Sequence, residues 1–71
     1  MTVESELAAV VWKVLVAVGD SVADGDDLVI LESMKMEIPV PAGRPGTVTA
    51  VHVEEGDTVY DGDALVTVHP D

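Results

Sequence analysis

An internal repeat constrains the fold of this chain more than any other feature of its sequence. Residues 19–29 reappear as residues 56–66, at an offset of 37, with the shared pattern Gly-Asp-x-Val-x-Asp-Gly-Asp-x-Leu-Val. When the offset is extended, residues 9–32 align with residues 46–69 without a gap, and eleven of the 24 pairs are identical. A repeat of this kind predicts a fold built from two equivalent structural halves.

The repeated segments have the composition of β-strands. The chain contains fifteen valines and no phenylalanine, and its short apolar runs are separated by Gly-Asp or Asp-Gly pairs. β-Branched residues favour strands, and such pairs favour the turns between strands. We therefore expect an all-β fold.

Alternation within the valine-rich segments predicts which side chains enter the core. Val14, Val16 and Val18 occur at every second position, so we expect one strand face to point inward as far as Val18. His52 lies between two valines of the second half and should face solvent. The alternation slips by one residue at the same place in both halves, between Val11 and Val14 and between Val48 and Val51. The slip predicts a β-bulge in each half.

A tight reversal is required within residues 28–38, a run without Gly, Pro, Asn or Asp. As one strand at about 3.3 Å per residue, the run would span roughly 36 Å. A compact domain of this length is only about 30 Å across. Because residues 65–68 map onto residues 28–31, the first copy of this strand should end near Glu32. The turn should then fall at residues 33–36.

Lys35 is the candidate functional residue because this turn has unusual residues. Two-residue hairpin turns normally contain Asn, Asp or Gly, whereas the centre here is Met34-Lys35. A local rule broken in an otherwise consistent sequence points to a functional constraint, and a solvated loop lysine without a role is the alternative. Met34 and Met36 lie on the same side of a strand. We expect them to cap the end of the core, to form an apolar flank that a partner recognises, or to do both.

Composition excludes several classes of function. The formal charge of −11, from fourteen acids against three basic residues, argues against nucleic acids and anionic membranes as partners. The chain has no cysteine for disulfides or thiolate metal sites. Its longest apolar stretch, residues 7–18, is interrupted by Lys13 and is too short for a membrane span. We expect a soluble, cytoplasmic protein.

The remaining polar motifs do not predict a metal site or a catalytic centre. Residues 24–26 and 61–63 have the Asp-Gly-Asp pattern of turns and lack the carboxylate spacing of a calcium loop. His52 and His69 are expected at the surface, because two histidines alone make a poor zinc site. No serine has the setting of a catalytic nucleophile. Prolines and glycines mark the connection between the halves as a crossover loop within one domain, residues 1–71; these are Pro39, Pro41, Gly43, Pro45 and Gly46.

The segment Glu32-Ser33-Met34-Lys35-Met36-Glu37, placed between the two repeated halves, resembles the attachment site of the biotin carboxyl carrier family. That family comprises the biotinyl domains of biotin-dependent carboxylases and decarboxylases. The resemblance extends from Val3 to His69. It implies a flattened eight-stranded barrel or sandwich with quasi-twofold symmetry, in which the attachment lysine lies on the hairpin between the fourth and fifth strands.

By the same resemblance, Lys35 would carry biotin through an amide, and Glu32, Ser33, Met34, Met36 and Glu37 would be the flanking recognition residues. A biotin protein ligase would attach the group. A biotin carboxylase would then load a carboxyl group, which a carboxyltransferase would pass on. The chain itself would be a carrier without catalytic residues. Its departures from the family pattern are Glu6–Val10 where Pro and Gly usually open the first half, and Ser33 in place of the commonest alanine.

Two other functions remain as alternatives. A lipoyl carrier shares the architecture but usually has an acidic residue before its lysine, whereas Met34 stands there. An unmodified β-sandwich that only binds a protein partner would not need Lys35 at all. Since the chain starts at Met1 and ends at Asp71 without a linker, we expect a free-standing carrier, and a domain excised from a longer protein would have the same appearance.

Overall fold

A computed structural model describes residues 1–71 as eight β-strands and no helix. The strands are β1 Thr2–Glu4, β2 Ala9–Val14, β3 Ser21–Val22, β4 Asp27–Ser33, β5 Met36–Pro41, β6 Gly46–Val51, β7 Thr58–Val59 and β8 Ala64–Pro70. They form two four-stranded sheets, sheet A in the order β1-β8-β6-β3 and sheet B in the order β5-β4-β2-β7. All observed pairings are antiparallel. The eight-stranded all-β prediction is confirmed, with the two sheets forming a sandwich rather than a closed barrel.

The sequence repeat is visible in the topology. An offset of 37 residues maps β2 onto β6, β3 onto β7 and β4 onto β8, so it exchanges sheet B with sheet A. Each sheet contains strands from both halves, because β7 pairs with β2 and β3 pairs with β6. Both predicted bulges are present, between Val11 and Lys13 against β4 and between Val48 and Ala50 against β8. The two halves are therefore interlocked rather than side by side.

The core follows the same symmetry. Fourteen residues are buried, and they form seven pairs at the offset of 37, namely Ser5/Ala42, Ala9/Gly46, Val11/Val48, Val22/Val59, Leu28/Leu65, Val29/Val66 and Leu31/Val68. Burying one valine or leucine side chain contributes about 1.5–3 kcal/mol. A small duplicated core of this kind holds the two sheets against each other along the whole sandwich.

Four tight turns use the Gly-Asp pairs of the repeat. In each turn the aspartate carboxylate accepts a hydrogen bond from the N–H three residues earlier, at 2.8–2.9 Å; the pairs are Ala17–Asp20, Ala23–Asp26, Glu54–Asp57 and Tyr60–Asp63. The intervening glycine has a φ between 89° and 97°, a conformation that other residues adopt at a cost. The Asp-Gly-Asp motifs form turns as predicted, and the second aspartate of each, Asp26 or Asp63, accepts a hydrogen bond from the backbone.

Strand β2 ends earlier than predicted. Val14 and Val16 are half-buried, but Val18 is 65% exposed, so the prediction that the inward face extends to Val18 is wrong. The chain leaves the strand after Val14 and enters the turn at Ala17–Asp20. The turn rotates Val18 away from the sandwich.

The connection between the halves is also shorter than predicted. Pro39 and Pro41 belong to β5, and only residues 42–45 lie outside strands. Proline lacks the N–H that a central strand must donate, but β5 is the edge of sheet B and pairs only with β4.

The chain has no helix long and apolar enough to cross a lipid bilayer.

Candidate functional site

The β4–β5 hairpin carries the candidate lysine at its tip. Ser33 pairs with Met36, which leaves Met34 and Lys35 as a two-residue turn. Their φ angles are 52° and 66°, so both central residues are in the left-handed region, as a type I′ turn requires. The predicted reversal at residues 33–36 is therefore observed.

The strands behind the tip hold this turn in place. Leu28, Val29 and Leu31 of β4 are fully buried, and Leu31 pairs with half-buried Ile38 of β5. Each non-glycine residue in the left-handed conformation costs about 1–2 kcal/mol, which the tertiary packing of β4 must offset. The turn is thus a fixed base for the lysine rather than a loose loop.

Both methionines that flank the lysine lie in solvent. Met34 is 92% exposed and Met36 is 64% exposed, and Lys35 between them is exposed as well. The interpretation that the two methionines cap the end of the core is therefore wrong. Exposed methionines are polarisable, adaptable contact groups, so the arrangement leaves an apolar flank on each side of a free primary amine.

Two carboxylates stand directly behind the turn. Glu32 and Glu37 are opposite each other on β4 and β5, and both are exposed. Like charges in directly opposed positions destabilise a strand pair. An approaching surface with a positive charge at this position would relieve that repulsion, so the base of the hairpin is suited to a basic partner.

The hairpin tip and the chain termini lie at opposite ends of the molecule, whose longest dimension is 35 Å. β2 begins beside Glu32 and runs away from the tip. Beyond β2, the N–H of Gly19 donates to the carbonyl of Val48, which pairs with Val68 near the end of the last strand. The N-terminal ammonium of Met1 donates to the carbonyl of Val68. Groups attached to Lys35 are therefore remote from both termini.

The two histidines lie at the surface of the molecule. His52 is exposed, as predicted, and its Nε2 lies 2.7 Å from the hydroxyl of Thr67. His69 is exposed on β8. No group of three or more His, Cys, Asp or Glu side chains is close enough to hold a metal ion.

Two exposed apolar side chains next to the hairpin, Val10 and Trp12, belong to no recognisable motif. Both lie on β2, and Val10 pairs with Glu32. The repeat is the signal that identifies them, because the equivalent positions in the second half are Thr47 and Thr49. An apolar residue that one half lacks is not a requirement of the shared fold.

Comparison with known proteins finds a matching family model and similar sequences that agree with one another. Residues 1–68 match the model of a family described as "Biotin-requiring enzyme". The chain is 50% identical over 66 residues to the biotin/lipoyl attachment protein of Bacillus subtilis, covering 93% of this chain and 90% of that protein. It is 48% identical over 67 residues to the biotin carboxyl carrier protein of Streptococcus mutans, covering 94% of this chain and 52% of that protein.

A solved structure supports the same relationship. The urea carboxylase of Kluyveromyces lactis contains a region that superposes on this chain with a TM-score of 0.91 and 36% sequence identity. The superposition covers 97% of this chain but only 6% of that enzyme. The chain therefore corresponds to one small part of a much larger carboxylase.

Proposed function

The chain belongs to the biotin/lipoyl attachment family of biotin-requiring enzymes, and from that membership we propose that it is a biotin carboxyl carrier loaded on Lys35. The observation that carries the proposal is the exposed Lys35 amine on a positive-φ turn, held by the buried residues of β4. The chain acts as a carrier component, and the chemical steps take place on its partner enzymes.

Attachment requires an activated biotin carboxyl group and a free amine. In the proposed reaction, a biotin protein ligase presents biotinyl adenylate to the hairpin. The Lys35 ammonium loses one proton to a base of the ligase, and the neutral Nζ attacks the acyl carbon. The acyl C–O bond to AMP then breaks, AMP leaves, and the nitrogen releases a second proton as the amide forms. The exposed side chains of Met34 and Met36, with Glu32, Ser33 and Glu37 behind them, are the surface that the ligase would read. Loss of the ammonium charge takes the formal net charge from −11 to −12.

Once attached, biotin supplies a ureido nitrogen that accepts a carboxyl group and gives it up again. The contribution of this chain is positional. A side chain that starts from a rigid turn explores a limited volume, so its end is at high effective concentration near any site on which the carrier docks. The proposed docking sites belong to a biotin carboxylase and a carboxyltransferase. The proposal includes a cytoplasmic location, where streptavidin blotting of cell fractions is expected to find the loaded chain.

The modification site is tested by intact-mass measurement after co-expression with a biotin ligase. We expect the wild-type chain to gain the mass of one biotinyl group and Lys35→Arg to gain none, because the guanidinium is not acylated. Lys13→Arg is the matched control, since Lys13 is the other lysine of the chain and is also exposed. Biotinylation that persisted in Lys35→Arg would refute Lys35 as the modification site. A mass gain of one lipoyl group on the wild-type chain would show that the cofactor is lipoate rather than biotin.

A further inference from the structure

The outward-facing residues of the two sheets differ at positions that the sequence repeat makes equivalent. Three outward positions of sheet B and their counterparts in sheet A are Val10/Thr47, Trp12/Thr49 and Ile30/Thr67. Val10 is 43% exposed and Trp12 is 41% exposed, and Ile30 is not packed against the core. The second half forms the same strands with threonine at all three positions. The fold therefore does not require apolar residues there.

These side chains form one surface that reaches the hairpin, which we call the Trp12 face and define as Val10, Trp12, Ile30, Glu32 and Glu37. The β-bulge leaves Trp12 next to the Lys13–Ile30 pair. Val10 pairs with Glu32, and Glu32 pairs with Glu37. The face thus has an apolar centre and an acidic edge, and that edge lies directly behind Met34 and Lys35.

On the equivalent face of sheet A, the hydroxyls of Thr49 and Thr67 form hydrogen bonds within the chain. The hydroxyl of Thr49 donates to the carbonyl of Thr67, and the Thr67 hydroxyl lies 2.7 Å from Nε2 of His52. On the Trp12 face, the Lys13 Nζ lies 5.6 Å from the centroid of the Trp12 ring. The indole is nevertheless 41% exposed, so part of its apolar surface is available to another molecule.

The size and charge of the Trp12 face indicate what kind of molecule would bind there. The Trp12 face comprises five residues, against the roughly 20–30 residues per partner of a standard stable interface. It therefore suits a transient contact. A second copy of this chain is disfavoured, because both copies carry a formal charge of −11. The acidic edge is complementary to a basic protein surface.

We propose that the Trp12 face is the docking surface for the biotin carboxylase partner, which would offer an apolar pocket to Trp12 and basic residues to Glu32 and Glu37. The inference rests on the proposed carrier function. Tryptophan is enriched among the residues that dominate binding energy, and charge complementarity accelerates the encounter of transient partners. A carboxylase must hold the carrier body while the lysine arm enters its active site. A surface beside the hairpin, rather than at its tip, provides that hold.

The test uses the full chain, biotinylated, as the substrate of the biotin carboxylase of the same cells with ATP, magnesium and labelled bicarbonate. Trp12→Thr and Val10→Thr introduce the residues that the other half already has, so they are compatible with the strand. Thr49→Val is the matched control on the opposite face. Free biotin serves as the reference substrate, because it lacks the carrier. Thermal unfolding verifies that each variant is folded.

We expect Trp12→Thr to raise the KM for the carrier by roughly tenfold with little change in kcat, because truncating a central interface tryptophan weakens docking and leaves the chemistry intact. Thr49→Val should leave both constants unchanged. Added salt should raise the wild-type KM, and Glu37→Gln should flatten that dependence, since screening weakens an attraction between opposite charges. The rate of biotinylation by the ligase should be the same for wild type and Trp12→Thr.

Several results would overturn the inference. A KM for Trp12→Thr within about twofold of wild type, a change small against that of an interface hot spot, would remove the face from carboxylase docking. A parallel loss in the ligase assay would assign the face to the ligase, and a wild-type dimer that Trp12→Thr dissociates would assign it to a second copy. If the wild-type biotinylated chain were carboxylated no better than free biotin, the proposed carrier function itself would fail.

Discussion

At the scale of single residues, Met34 and Lys35 adopt a backbone conformation that costs stability at the candidate functional site. Both have positive φ, although neither has the short polar side chain or the missing Cβ that eases this conformation. The same chain uses glycine at its other four positive-φ positions, Gly19, Gly25, Gly56 and Gly62. The strain is therefore confined to the two residues whose side chains the proposed function needs.

Met34→Asn is expected to separate stability from modification. Asparagine tolerates a φ near 52° better than methionine, so the free energy of unfolding should rise by about 0.5–1 kcal/mol. Loss of the exposed thioether should slow biotinylation of Lys35, because the apolar flank of the amine is gone. Urea unfolding and the initial rate of ligase-catalysed biotin transfer measure the two effects. A variant that was both less stable and equally well modified would contradict this account of the turn.

The sequence predicts the position of Lys35 but not the surroundings of its neighbours. The repeat locates the end of β4 near Glu32, and the absence of turn-forming residues is the basis for the prediction that Lys35 is functional. The alternation of side chains along a strand indicates only that Met34 and Met36 lie on the same side of the strand. Their exposure depends on where the sandwich ends relative to the hairpin, which is a property of tertiary packing. The Glu32–Glu37 repulsion likewise becomes visible only once the register of β4 and β5 is known.

At the scale of elements, the β-bulges were predictable because both halves carry the same slip in alternation. The places where prediction failed depend on neighbours that the sequence does not reveal. Pro39 and Pro41 read as loop residues, but β5 is an edge strand and tolerates them. Val18 continues an alternating pattern, but the hydrogen bond from Ala17 N–H to Asp20 closes a turn at that point.

Gly46, at the start of β6, is expected to tolerate no side chain. A Cβ there would collide with the carbonyl oxygen of His69 and lie 2.6 Å from Cγ1 of Val68, both on the neighbouring strand β8. Gly46→Ala should therefore lower the free energy of unfolding by about 1–3 kcal/mol, since the strand must shift. Gly43→Ala is the matched control, because nothing lies within 4 Å of its Cβ position and its φ is not positive. Equal denaturation midpoints for the two variants would show that β6 and β8 are not in the described contact.

At the scale of the whole molecule, the symmetry of the core and the asymmetry of the surface have separate roles. The buried residues form seven equivalent pairs across the two halves, so each half contributes equally to holding the sandwich together. The hairpin tip differs from this shared scaffold, because its two turn residues, Met34 and Lys35, are the non-glycine residues with positive φ. The duplication supplies the scaffold, and the features that depart from it, the hairpin tip and the Trp12 face, carry the proposed functional residues.

Equivalence within the core predicts that Leu28→Ala and Leu65→Ala have nearly the same effect. Both side chains have no exposed surface and occupy matching positions on β4 and β8. Truncating a buried leucine costs about 2–5 kcal/mol, a large share of the roughly 4–11 kcal/mol expected for a domain of this length. Urea unfolding should therefore give two similar, severe losses, whereas Leu15→Ala, at a position 48% exposed, should cost well under about 1 kcal/mol. Losses for Leu28→Ala and Leu65→Ala that differed by more than about 1 kcal/mol would mean that the two halves, despite their shared pattern, do not pack equivalently.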